Sequence, residues 1–299
     1  MTRSSSLFLA AAVILASRTL GGQANARFPT EPVPPVILPY EPGGAEVGLH
    51  TRELDSRPFP AHRMIGNIYY VGQADYASYL ITSDQGHILI DTTFDSSVPQ
   101  IEKSISSLGF RVRDVKILLI THAHADHAEG AARFKALSGA QLMMMDGDAQ
   151  VVETGAGGTM PPAKVDRVLH DRDEVRLGEI VLTVRLAAGH TRGNTTFQWK
   201  TLQDGKTYNV VLIGSLTSIA TELRQNPSLV DEYRRTFQVV KELPCDVFLA
   251  PHGKMFGLGA KYARLGKGGA NPYIDPEGYR AYIDLMEKSF YYKLDWAHR

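Results

Sequence analysis

The segment that most restricts the fold is Val115-Lys116-Ile117-Leu118-Leu119-Ile120 followed at once by Thr121-His122-Ala123-His124-Ala125-Asp126-His127. A short apolar, β-branched run reads as a buried strand, so the polar residues after it sit where that strand runs out. Spacing supports this placement. On a helix, positions two apart face nearly opposite sides and His122 and His124 could not share an ion; in an extended segment they project together. Asp126 and His127 follow as an adjacent pair, aimed apart from the first two and suited to a second ion. Neutral imidazole and carboxylate are ligands that suit zinc.

Each ion needs three or four donors, so further ligands must come from elsewhere in the chain. Two histidines qualify. His190, in Gly189-His190-Thr191, follows the strand-like Ile180–Leu186; His252, in Pro251-His252-Gly253, follows Asp246–Ala250. Both stand at the end of an expected buried strand, the usual place for site residues on an α/β scaffold.

His-x-His-x-Asp-His, then Gly-His-Thr, then Pro-His-Gly, in that order, resembles the metallo-β-lactamase superfamily of dinuclear zinc hydrolases. The resemblance runs from about Arg63 to about Tyr292 and includes Gly66–Gly72 and Ile88-Leu89-Ile90-Asp91-Thr92. Within the superfamily the chain looks most like the third subclass of class B zinc β-lactamases. The resemblance implies two Zn²⁺ per chain, the first on His122, His124 and His190, the second on Asp126, His127 and His252.

Position 215 sharpens the comparison. Glyoxalase, lactonase and nuclease branches bridge their metals with an aspartate there, and the first β-lactamase subclass has a cysteine ligand. This chain has Ser215, together with His127. The activity so implied is hydrolysis of the β-lactam amide bond in penicillins, cephalosporins and carbapenems, an antibiotic-resistance function. A hydroxide held between the two zinc ions is the nucleophile, and Asp126 orients it or relays its proton. The resemblance further makes Ser215 a contact for the substrate carboxylate. Thr217 and Arg224 are further candidates, because Leu216–Leu223 departs from the Pro-Gly-Tyr loop of relatives. Asp91, closing its strand, is a candidate for orienting a ligand from behind. The alternative is a dinuclear zinc hydrolase of the same fold acting on a thioester, lactone or other ester. A purely structural metal site is the reading from a different class; such sites are normally closed, whereas six ligands shared by two ions leave positions open.

Lys plus Arg and Asp plus Glu both number 32, so no basic field argues for nucleic acid. The expected partner is a small-molecule β-lactam, with no protein partner evident. Residues 1–26 read as a cleaved secretory signal: Arg3, the apolar Leu7–Ala16, and Ala24-Asn25-Ala26 as the cleavage site. The apolar run is too short to span a bilayer, so a periplasmic location with no membrane segment after signal removal is expected. One cysteine, Cys245, allows no intrachain disulfide. Residues 27–62 are proline-rich and expected to lie extended across the surface of a single catalytic domain, 63–299.

Strands are expected at 65–71, 77–83, 87–91, 115–120, 142–145, 174–177, 180–187, 194–200, 207–214 and 246–250. Helices are expected at 97–108, 128–137, 228–242 and 276–292. The pattern begins its second round at Val165, and Leu142–Met145 is expected in the core. Tyr282, Leu285, Met286 and Phe290 share one face of the last helix and are expected to dock into the core. Periodicity alone gives an α/β fold; a four-layer αβ/βα sandwich is what the resemblance implies.

Overall fold

The computed structural model describes residues 55–298. The expected signal at 1–26 and most of the proline-rich extension lie outside them. Seven strands form the first sheet in simple sequence order: β1 (His62–Ile65), β2 (Ile68–Tyr70), β3 (Tyr79–Ser83), β4 (Gly86–Ile90), β5 (Val115–Leu119), β6 (Gln141–Met145) and β7 (Arg167–Leu169). The first four pair antiparallel, and β4 to β7 run parallel through helical crossovers. The second sheet has the order β12-β11-β10-β9-β8, from β8 (Glu174–Leu177), β9 (Ile180–Leu186), β10 (Thr195–Gln203), β11 (Lys206–Leu212) and β12 (Val247–Leu249).

Side-chain alternation builds the layers. Ile88, Ile90, Ile117, Leu119, Met143 and Met145 face one way, into a core shared with Leu182, Val184, Phe197 and Trp199 of the second sheet. Leu89, Leu118, Leu142 and Met144 face the other way, under α1 (Val98–Ser107) and α3 (Ala131–Ser138). Helices α6 (Ser228–Glu242) and α8 (Pro276–Ala297) contribute Tyr233, Phe237, Val240, Tyr279, Tyr282 and Phe290 to the second sheet's core. The result is the four-layer αβ/βα sandwich, helices outside and sheets within.

Local chemistry explains the helices. In α1, Val98, Ile101 and Ile105 share the buried face and Pro99 occupies the first turn. Helix α8 starts at Asp275, whose carboxylate accepts the Gly278 N–H at 2.9 Å.

Several boundaries differ from the sequence reading. The expected strand 65–71 is two strands, because Gly66 turns the chain at φ +54° with Thr201 packed where a side chain would be. The expected helix 128–137 is also divided, into α2 (Ala125–Ala128) and α3. Gly130 lies between them against Thr92 and Val98; a methyl group there would come within 2.8 Å of the Thr92 carbonyl. Strand β7 keeps the first sheet going past Val165, so the second round begins at β8 rather than at Val165. Three short helices, α4 (Ala149–Thr154), α5 (Ala220–Gln225) and α7 (Leu258–Arg264), have too few turns to show a period, and α8 extends to Ala297 rather than ending at 292.

Candidate metal centre

The ends of β5, β9 and β12, and the loops after them, converge. Two groups of potential ligands result: His122, His124 and His190, and Asp126, His127 and His252. Within each group the offered ligand atoms all lie within 4.8 Å of one another. The groups adjoin, with the His122 and His127 rings 4.2 Å apart. All six residues expected from the sequence are therefore brought together. One detail differs: Asp126 and His127 stand on the single turn of α2 rather than on extended chain. Asp126 thereby occupies a helical first turn, where a carboxylate is favoured.

Each group is oriented from behind. His190 Nδ1 lies 3.0 Å from both the carbonyl oxygen and the hydroxyl of Thr217. Donation from Nδ1 leaves the Nε2 lone pair for a metal. His122 Nδ1 lies 3.2 Å from the Thr121 hydroxyl. His127 Nδ1 lies 3.1 Å from Asp91 Oδ2, and His252 Nδ1 lies 3.0 Å from Asp75 Oδ2. Asp91 is held in turn by the Thr121 N–H at 2.7 Å and the Thr121 hydroxyl at 2.8 Å. It adopts φ +61°, a left-handed backbone uncommon for a residue other than glycine, and the hydrogen bonds to its carboxylate fix it there. The strand-end aspartate singled out in the sequence thus stands directly behind His127.

Electrostatics separate the two groups. Burial pushes His122 well below its ordinary value, lowers His124, and brings His190 to about 3, so these imidazoles are neutral donors. Burial acts downward on His127 too, but Asp126 and Asp91 outweigh it and raise the ring to about 10. Asp126 and Asp75 likewise raise His252 against its burial. Burial alone would raise the Asp126 carboxyl, yet His127 and His252 hold it far below the usual carboxylate range. Asp126 therefore demands a neighbouring positive charge, which a divalent cation supplies as well as a proton does. His127 Nε2 is buried, 3.2 Å from Asp126 Oδ2, and finds no hydrogen-bond partner. Three neutral imidazoles beside a carboxylate and two imidazoles fit the donor set and tetrahedral preference of zinc.

A cleft of about 410 Å³ opens over the donors, lined also by Ser215, Thr217, Ser218, Lys254, Tyr282, Met286 and Lys293. Ser215 and Thr217 join hydroxyls at 3.1 Å. Arg224 is exposed on α5 and is not part of the lining. Tyr282 and Met286 are buried as expected, but the same face of α8 also forms a wall of the cleft, which core packing alone did not anticipate.

Three supporting residues were missed in the sequence. Asp75 follows β2 and backs His252. Lys254 Nζ reaches Asp55 at 2.7 Å and Asp75 at 3.5 Å. Asp148, after β6, accepts from the Ala123 N–H, the Thr191 hydroxyl and the Gly193 N–H at 2.9, 2.6 and 2.8 Å. Asp148 stands just past the end of β6, the signal that marked the histidines, whereas Asp75 lies further from its strand, beyond Val71–Ala74.

A layered sandwich with two adjoining groups of potential metal ligands at its strand ends is the arrangement of a metal-dependent hydrolase. Residues 72–252 match the metallo-beta-lactamase superfamily. The fold is similar to that of the native FEZ-1 metallo-beta-lactamase from Legionella gormanii, with 41% identity, a TM-score of 0.79, and coverage of 81% of this chain and 98% of that one. It is similar as well to BJP-1, a subclass B3 metallo-beta-lactamase of Bradyrhizobium japonicum, with 34% identity, a TM-score of 0.78, and coverage of 82% and 97%. The hydroxyacylglutathione hydrolase of Methylobacterium nodulans is 27% identical over 128 residues, 40% of this chain and 45% of that enzyme, so the chain spans under half the length of this curated relative. The chain belongs to the metallo-β-lactamase superfamily, and its solved structural neighbours include subclass B3 enzymes.

Proposed function

We propose that this protein is a zinc β-lactamase, cleaving the amide of penicillins, cephalosporins and carbapenems. The observation that carries this reading is the near full-length likeness to a metallo-β-lactamase, combined with Ser215 where an ester- or thioester-cleaving relative would bring an aspartate. His122, His124 and His190 would hold one zinc, and Asp126, His127 and His252 the other. Zinc there supplies Lewis acidity, activating water near neutral pH and polarising a carbonyl.

The remaining work falls to the chain itself. Asp126 lies 3.2 Å from His127 Nε2 and 3.4 Å from His252 Nε2, where its carboxylate would orient the attacking water and relay the released proton to the lactam nitrogen as the amide C–N bond breaks. Asp91 and Asp75 keep Nε2 of His127 and His252 turned toward Asp126. Ser215 and Thr217 offer hydroxyls to the substrate carboxylate, and Lys293, whose ammonium donates to the Ser218 carbonyl at 2.6 Å, brings positive charge to the same end of the cleft. Tyr282 and Met286 present an apolar wall to the substrate body.

Steady-state hydrolysis of benzylpenicillin, a cephalosporin and a carbapenem by zinc-loaded protein tests this reading. Turnover of S-lactoylglutathione without turnover of any β-lactam would replace it with the thioesterase alternative, which the partial likeness to hydroxyacylglutathione hydrolases raises. We further infer a periplasmic mature protein beginning at Arg27. Its intact mass after expression with the full leader checks the cleavage after Ala26.

A further inference from the structure

We propose that Tyr233 is a positioning residue for His190: from α6 it clamps, together with Thr236, both backbone segments that orient that imidazole. The inference rests on His190 being a ligand of the first group, and not on the identity of the substrate.

Three contacts from one turn of α6 and one from His190 itself converge. The Tyr233 hydroxyl donates to the Thr217 carbonyl at 2.5 Å. His190 Nδ1 reaches that same oxygen at 3.0 Å. A carbonyl oxygen has two lone pairs, so it accepts both donors at once. The Tyr233 ring also lies flat against Gly189, the residue before the ligand; an added Cβ would sit 3.0 Å from the ring, and the backbone there has φ +133°. One position further back, the Thr236 hydroxyl donates to the Ala188 carbonyl at 2.7 Å. Positions three apart share a helical face, so one surface of α6 holds residues 188, 189 and 217 together.

The consequence is geometric. The direction of the His190 lone pair depends on where the Thr217 carbonyl lies and on the path of Ala188-Gly189. Both lean on α6, which is itself locked into the core by Phe237 and Val240. Tyr233 is buried, and its ring lies 5.2 Å from that of Phe290, so it cannot swing away without opening the core. A matched comparison exists on α8. The Tyr279 hydroxyl donates to the Val240 carbonyl at 2.6 Å, a hydrogen bond of the same kind made away from both ligand loops.

The experiment uses the full chain and competes bound zinc against a chelator of known affinity. Tyr233→Phe keeps the ring on Gly189 and removes only the hydroxyl. It is expected to weaken one of the two bound ions by about 10–100-fold, the usual effect of losing a group that orients a ligand. The visible spectrum of the cobalt-substituted protein should change with it. Tyr279→Phe loses a comparable hydrogen bond and should leave both affinities and the spectrum unchanged. Thr236→Val should weaken the same ion by a smaller factor, and keeps the question open to measurement if Tyr233→Phe folds poorly. Wild-type affinities and cobalt spectrum in Tyr233→Phe would overturn the proposal, as would an equal loss in Tyr279→Phe. A wild-type protein that binds no ion would overturn it together with the metal centre. Metal binding without β-lactam turnover would remove only the β-lactamase reading.

Discussion

Where His190 leans on a neutral carbonyl and hydroxyl of Thr217, His127 and His252 each lean on a buried carboxylate, Asp91 and Asp75. The first group presents three uncharged imidazoles. The second presents Asp126 directly and two more carboxylates one hydrogen bond behind. A carboxylate behind an imidazole raises its basicity as a ligand, whereas a carbonyl mainly fixes its tautomer and direction. The first group would therefore hold a cation by placement and leave it strongly electrophilic. The second would hold one by accumulated negative charge. Two ions of the same element would thus meet different fields.

Removing a ligand from the placement-dependent group should have the largest effect. His190→Ala is expected to lower β-lactam turnover by more than about 100-fold, beyond the range seen for losing a supporting group, with the fold intact by circular dichroism. Full zinc content with retained turnover would contradict the assignment. Next in size, Asp75→Asn, which removes the carboxylate behind His252, should weaken the other ion by about 10–100-fold while sparing the first, as judged by zinc titration. Equal weakening of both ions would erase the contrast between the groups. Ser215→Asp adds a carboxylate to the cleft lining; it should tighten metal retention and lower turnover of carboxylate-bearing β-lactams by about tenfold, the scale of one charge-assisted hydrogen bond lost. Unchanged kinetics would show that residue 215 does not meet substrate.

The smallest effect is a pH slope in chelated, metal-free protein. His190 falls to about 3 in the folded state from its ordinary 6.5, so the unfolded chain takes up the proton first. Stability contributed by the neutral ring is present above pH 6.5 and is lost as pH falls toward 3. His127 has the opposite sign: raised to about 10, its contribution is complete below 6.5 and lost as pH rises through 10. Urea midpoints between pH 6.5 and 4 should fall less steeply in His190→Ala than in wild type. The difference should stay under one proton, since His122 and His124 share the acid slope. Parallel slopes would show that His190 is not buried as a neutral ring.

The two groups were equally legible in the sequence, because each ligand follows an apolar run long enough to declare a strand. What lay behind them was not equally legible. Asp91 closes such a run and stands out. Asp75 is separated from β2 by four residues of irregular chain, and its partner His252 is 177 residues away. The carbonyl of Thr217 has no side-chain signature at all, and neither does the clamp from α6. The fold's long elements were readable from their periods. The break at Gly130 was not, since it depends on Thr92 and Val98 arriving from a distant turn.

Asp148 carries a consequence for how the molecule matures. It sits at the start of α4, yet its carboxylate leaves that helix uncapped and bridges the turn after β5 to the loop after β9. Loops from both sheets are thus tied to one side chain. Neither half of the polypeptide, synthesised alone, could present a complete set of ligands. A cation would therefore meet both donor groups complete only once the two halves have joined.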